Sequence, residues 1–207
     1  TIVWLSIFLI ILKSVTGWVV FLVVATAVIF LKLLQIQQLV WKVILIGLLG
    51  FLLATPVIYI GYVVNQFYTI ETLPENIRQL KTSKGNPYQH DFNNKELENG
   101  HYTFLYMNEE ELREAWNKKS AINFDSTSTS GFNQYVLYRY LTSKGLHKDA
   151  EGIGKLTEAD IRNIENGMTN HRFMNSLPIY KRIYQIVWEF DVYRKGGNPS
   201  GHSVTQR

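Results

Sequence analysis

VILIGLLGFLLATPVIYIGYVV, residues 43–64, contains no charged side chain. A bilayer's hydrocarbon core, about 30 Å thick, is crossed by roughly 20 apolar residues in a helix, and this run reaches that length. A wholly buried helix of a water-soluble fold is the other reading, and the surroundings argue against it. Residues 1–65 hold no Asp or Glu and only three Lys, whereas all 17 acidic residues lie beyond Tyr68. Residues 18–34 form a second apolar run. Residues 1–12 are also apolar but supply only about 18 Å at roughly 1.5 Å per residue, so they read as the truncated end of a third helix. The pattern predicts a mainly α chain: a piece of a polytopic membrane protein with about three transmembrane helices (about 1–12, 18–34 and 43–64) within residues 1–65. A mostly helical loop domain with a short β-hairpin follows over residues 66–207.

Orientation follows from the basic residues of the short turns. KLLQIQQLVWK (32–42) carries Lys32 and Lys42, while LKSVTGW (12–18) carries Lys13 alone. This excess points Lys32 and Lys42 to the cytoplasm and residues 66–207 to the periplasm of a bacterial inner membrane. Trp18, Trp41, Tyr59, Tyr62 and Tyr68 fall near the expected helix ends, where interfacial aromatics belong. Cysteine is absent, so no disulfide framework bears on the compartment.

The polar half has its own start and stop signals. Asn99-Gly100, between residues 95–98 and 101–107, is the dipeptide that most readily takes positive φ at both positions, and it predicts a tight hairpin. Asn108 with Glu111 predicts a capped start for EELREAWNKK, and Glu114 and Lys118 are spaced to pair on its face. DSTSTS (125–130) is a loop by composition. GFNQYVLYRYLTSKG (131–145) has helical apolar spacing ending at Gly145. Thr157 and Asp160 form a second capping pattern, with Ile161 and Ile164 facing inward. A last helix over about 178–195 starts at Pro178. It aligns Ile179, Ile183, Ile186, Val187, Phe190 and Tyr193, and this stripe is expected to be core, with Ile183 and Phe190 buried.

Several apparent chemical motifs dissolve on inspection. EGIGKLT (151–157) lacks a phosphate loop's first Gly, since Asp149 stands there, and its Ser or Thr, since Leu156 follows Lys155. The histidines His90, His101, His147, His171 and His202 show no i, i+4 pairing and have no Cys nearby, so neither zinc nor another metal site is indicated. Most of them read as surface residues. Glu109, Glu110 and Glu111 suit a helix N-terminus better than a metal.

YLTSKGLHKDAEGIGKLTEADIRNIENGM (140–168) and RIYQIVWEFDVYRKGGNPSGHSVTQR (182–207), with GNPYQHDF, LENGHY and NEEELREAWNKKS before them, resemble the large periplasmic loop of O-antigen ligase-like, or polymerase-like, membrane proteins of Bacteroidetes type. The likeness covers roughly residues 84–207 and matches the apolar runs by layout. It implies transfer of a glycan from an undecaprenyl-diphosphate carrier to a hydroxyl of lipid A core or another glycan at the periplasmic face. The implied partners are that donor, that acceptor and the bilayer, with no cofactor and no nucleic acid. The family's loop closes on a Ser-x-x-x-Arg element, matched here by Ser203 and Arg207, and Arg207 would contact the diphosphate. A second basic position of the family lies in a Ser-Arg-Thr-Gly type turn. Here the turn is Ser14-Val15-Thr16-Gly17, with Val15 in the basic place and Lys13 nearby. The catalytic base is expected beyond residue 207, so the chain reads as an inactive fragment. A non-catalytic, membrane-anchored periplasmic binding or sensor domain is the alternative that the same layout fits.

Overall fold

The computed structural model describes residues 15–126, 132–194 and 196. The chain divides into two compact units. One comprises Thr1–Asn65 with Leu177–Val187, and the other Gln66–Ser176 with Trp188–Arg207. The fold is mainly helical with one two-stranded antiparallel sheet.

In the first unit, α1 spans Val15–Gln35 and α2 spans Leu39–Tyr68. Both outrun the apolar segments that announce them. Backbone bonds from Ile36 N to Lys32 O and from Lys42 N to Gln38 O carry the helical pattern almost through the connection. Lys32 and Lys42, expected in a turn, therefore sit on helical turns. Each helix is apolar all round, and side chains on several sides of α2 are exposed, among them Phe51 (66 %) and Val57 (68 %). Such a helix belongs in a lipid or protein interior. At 30 residues α2 is long and apolar enough to cross a membrane. Pro56 lies inside it and removes one backbone donor. The hydroxyl of Thr55 donates to the Phe51 carbonyl one turn earlier (2.8 Å).

The second unit is organised by capped helices. α3 (Glu109–Lys119) starts at Asn108, whose side chain accepts from Glu111 N (3.1 Å). The reciprocal half of that cap is not formed. The Glu111 carboxylate instead accepts from Thr82 Oγ1 and Asn86 Nδ2, tying α3 to the preceding loop. α4 (Gln134–Ser143) is capped by Asn133, α5 (Ala150–Gly154) by Asp149, and α7 (His171–Asn175) by Asn170. α6 (Glu158–Glu165) has the full Thr157–Asp160 capping box. Gly145, just past α4, takes φ +67°, the left-handed turn that ends helices. EGIGKLT becomes the end of α5 and the entry to α6.

Residues from α3, α4, α5 and α6 share one core. Trp116, Phe124, Phe132, Tyr140 and Ile164 of this core are 0–1 % exposed. Trp116 stacks on Phe132 with ring centroids 5.0 Å apart, and its indole N–H donates to Ile122 O (2.8 Å). The hairpin pairs β1 (Leu97–Glu98) with β2 (His101–Tyr102) in the register Leu97↔Tyr102, Glu98↔His101. Asn99 and Gly100 take φ of 51° and 87° at its tip. Any side chain at Gly100 would meet the Thr69 carbonyl oxygen at 2.2 Å.

α8 (Pro178–Arg194) starts at the proline that predicted it, but its stripe does not form core. Phe190 is 61 % exposed and Ile183 only half-buried, while Tyr180 and Asp191 on another side are buried. Helical periodicity locates an apolar stripe without saying which side of the helix the rest of the chain will cover.

Candidate functional site

Lys13, Ser203 and Arg207, the residues matched to a diphosphate contact, lie outside the described residues. Of the Ser14-Val15-Thr16-Gly17 stretch, Val15 to Gly17 form the opening turn of α1. Among the described residues, no group of three or more His, Cys, Asp or Glu could hold a metal ion.

The structure gathers a different set, around Tyr106. That residue has φ +55°, a conformation that costs a bulky side chain energy and marks a position held by its surroundings. Its backbone N–H donates to His90 Nδ1 (3.1 Å), and its carbonyl accepts from Lys148 N (2.9 Å). The His147 ring lies flat on the Tyr106 ring, with centroids 4.4 Å apart and planes within 7°. Tyr88 meets both rings edge-on. From Tyr88 the hydroxyl reaches Asp149 Oδ2 at 2.5 Å and His147 Nδ1 at 3.1 Å. Asp149 is almost wholly buried, and its other oxygen accepts from Gly152 N at the start of α5.

These contacts fix protons. A phenol has one hydrogen, and the shorter contact assigns it to the Asp149 carboxylate, which only accepts. Burial and that carboxylate hold Tyr88 far above the usual tyrosine range. Toward His147 the phenol oxygen can therefore only accept, so Nδ1 carries the imidazole proton and Nε2 the lone pair. Desolvation lowers the pKa of His147, which favours the neutral ring at pH 7, and the residue is solvent-exposed. His90 has the opposite tautomer. Its Nδ1 accepts, and burial likewise lowers its pKa. The arrangement presents one oriented imidazole able to accept a hydrogen bond or a proton from a hydroxyl.

Beneath it Lys148 is 2 % exposed, and its ammonium donates to the carbonyls of Tyr102 and Leu105 (3.1 Å each). Desolvation lowers its pKa to about 7, against the pull of Glu71. Unfolded lysine titrates near about 10.4, so between the two values folding releases a proton and stability rises with pH. We expect the urea midpoint of the detergent-solubilised chain to rise between pH 7 and 9 and the rise to vanish in Lys148→Met. Parallel pH profiles for the two proteins would refute this.

Two other polar clusters hold the fold together. Asp160 accepts from Tyr140 Oη (2.7 Å), Lys144 Nζ (2.7 Å) and both the N–H and hydroxyl of Thr157. Burial pushes its carboxyl up, but these hydrogen bonds prevail and hold it well below the usual carboxylate range. Glu98 on β1 makes a two-pronged pair with Arg139 of α4 and accepts from Asn170 Nδ2 (2.8 Å). Their lone pairs are committed to helix ends and strand attachment, which leaves little for a ligand.

Sequence reasoning passed over His147 and Tyr88 because they are 59 residues apart and obey no helical spacing. The HKD triplet, 147–149, offers no motif. Only the mutual packing of the Tyr88, Tyr106 and His147 rings brings the set together. Compared with family models, curated proteins and solved structures, the chain matches none.

Proposed function

We propose that this chain is part of an O-antigen ligase-like glycosyltransferase, ligase or polymerase, in a bacterial inner membrane. It would move a glycan from an undecaprenyl-diphosphate carrier to an acceptor hydroxyl of lipid A core or another glycan at the periplasmic face. The observation that carries this reading is the 30-residue apolar α2, followed in sequence by a folded polar domain. The resemblance over residues 84–207 supplies the chemistry. In this reading α1, α2 and residues 1–12 are three spans and Gln66–Ser176 is periplasmic. The diphosphate is already a good leaving group, so the protein must supply a cationic clamp and a place for the acceptor hydroxyl. Arg207 is the clamp that the resemblance implies, Ser203 belongs to the same element, and Lys13 is the nearest basic residue to the second phosphate position. His147 Nε2 is the group in the described domain suited to hold a hydroxyl.

The topology is checked by labelling, since the chain has no cysteine. In spheroplasts an impermeant thiol reagent should modify Ser126→Cys and spare Gln37→Cys. The opposite pattern would invert the proposed orientation. Unchanged glycan display in a strain that lacks the intact protein would remove the transferase reading and leave the binding or sensor domain in its place.

A further inference from the structure

α8 carries an apolar face that is largely exposed, with Ile183 half-buried. Ile179, Ile183, Ile186, Phe190 and Tyr193 recur at alternating intervals of four and three, which places them on one side of the helix. Their exposure is 38 % at Ile179, 55 % at Ile186, 61 % at Phe190 and 71 % at Tyr193, and Leu177 just before the helix is 68 % exposed. The covered residues include Tyr180 and Asp191, which are 6 % and 7 % exposed. A helix in a water-bounded fold turns its apolar stripe inward, so a contiguous outward stripe marks a surface meant for something other than water.

Two observations decide the occupant. First, Leu177–Val187 belongs to the same compact unit as Thr1–Asn65, the unit whose α2 is long and apolar enough to cross a bilayer. Second, the polar residues of α8 are weighted to cations. Lys181, Arg182 and Arg194 stand against Glu189 and Asp191, and Asp191 already accepts from Arg194 (3.1 Å). Tyr184, Trp188 and Tyr193 add apolar rings with polar tips to the same helix. Apolar face, basic polar side chains and amphipathic aromatics are the composition of a helix lying in the headgroup–acyl boundary, with its apolar side about 5–10 Å deep.

We propose that α8 is such an interfacial helix and that a lipid surface covers the Ile179–Ile186–Phe190–Tyr193 stripe. This rests on the membrane part of the proposed function and is independent of the transfer chemistry. The chain would then meet the membrane a second time after its polar domain, through a helix lying on the bilayer.

The test uses the full chain in vesicles of phosphatidylcholine and phosphatidylglycerol, with one nitroxide-labelled cysteine at a time. Phe51→Cys reports α2, Ile186→Cys and Phe190→Cys report the stripe, and Lys95→Cys reports an exposed position of the polar domain. At 186 and 190 collision with dissolved oxygen should exceed collision with a water-soluble nickel chelate, as at 51, and the ratio should invert at 95. A stripe as accessible to nickel as position 95, with 51 still in lipid, would overturn the proposal and leave the membrane reading intact. Spin–spin broadening at 186 and 190 would also overturn it, because a second copy would then be the occupant. Nickel access at 51 would overturn the membrane reading and this inference with it. The substituted stripe residues point outward, so the variants leave the core unaltered.

Discussion

Arg207→Ala in the intact protein is expected to lose about a hundred- to a thousand-fold in glycan transfer while expression and membrane insertion stay unchanged. The size follows from the role proposed for the side chain. Removing one preorganised donor from a developing negative charge costs about 3–4 kcal/mol of transition-state stabilisation. Arg207→Lys should recover little of the loss, because an ammonium keeps the charge but not the planar two-pronged fork that matches phosphate oxygens. A loop arginine in solvent makes a different forecast: its replacement changes stability by no more than about 0.5 kcal/mol and leaves function alone. Wild-type glycan display in an Arg207→Ala strain would therefore withdraw the clamp. His147→Ala tests the acceptor role proposed for that imidazole: it should weaken use of the acceptor and spare donor binding, as kinetics against varied acceptor and donor would show.

Arg139→Met should be the most destabilising single change within the polar domain among those that create no cavity, at about 3–5 kcal/mol. The Arg139 and Glu98 side chains are 13 % and 5 % exposed, so the change strands a carboxylate in a dry site. Burial already pushes the Glu98 carboxyl up, and the Arg139 guanidinium pulls it back. The pair also joins β1 to α4, while Asn170, the cap of α7, donates to the other Glu98 oxygen. Adding Glu98→Gln to Arg139→Met removes the stranded charge and keeps an acceptor for Asn170, so the double variant should be more stable than the single one. Chemical denaturation of the three proteins checks this. If the double variant is no better than Arg139→Met, lost packing of the long arginine stem explains the cost and an unpaired charge does not.

Much of the local structure was legible because its causes are local. An Asn, Asp or Thr side chain bonds a backbone N–H two or three residues on, so Asn108 and Thr157 announce α3 and α6 wherever the domain places them. Asn99-Gly100 announces a hairpin because both residues tolerate positive φ. Residues 43–64 announce a bilayer-length helix through length and composition alone. The carboxylate at position 111 marks the limit of this reading. Spacing offered it a reciprocal cap to Asn108, but the Asn108 N–H donates to the distant Lys148 carbonyl (2.8 Å), and Glu111 Oε1 accepts from Thr82 and Asn86 instead.

What the sequence by itself determined, then, is where the capped helices α3 and α6 begin, where the chain turns at Asn99-Gly100 and which segment suits a membrane, since each depends on contacts within a few residues. Tertiary structure alone decided which side of α8 is covered, because periodicity defines a stripe but burial depends on what the remaining chain brings against it. It also decided the candidate site. His147 acquires its tautomer and orientation only when the fold brings Tyr88, Tyr106 and Asp149 against it. An imidazole's lone pair is set by the partner of its other nitrogen, and no spacing rule along the chain supplies that partner.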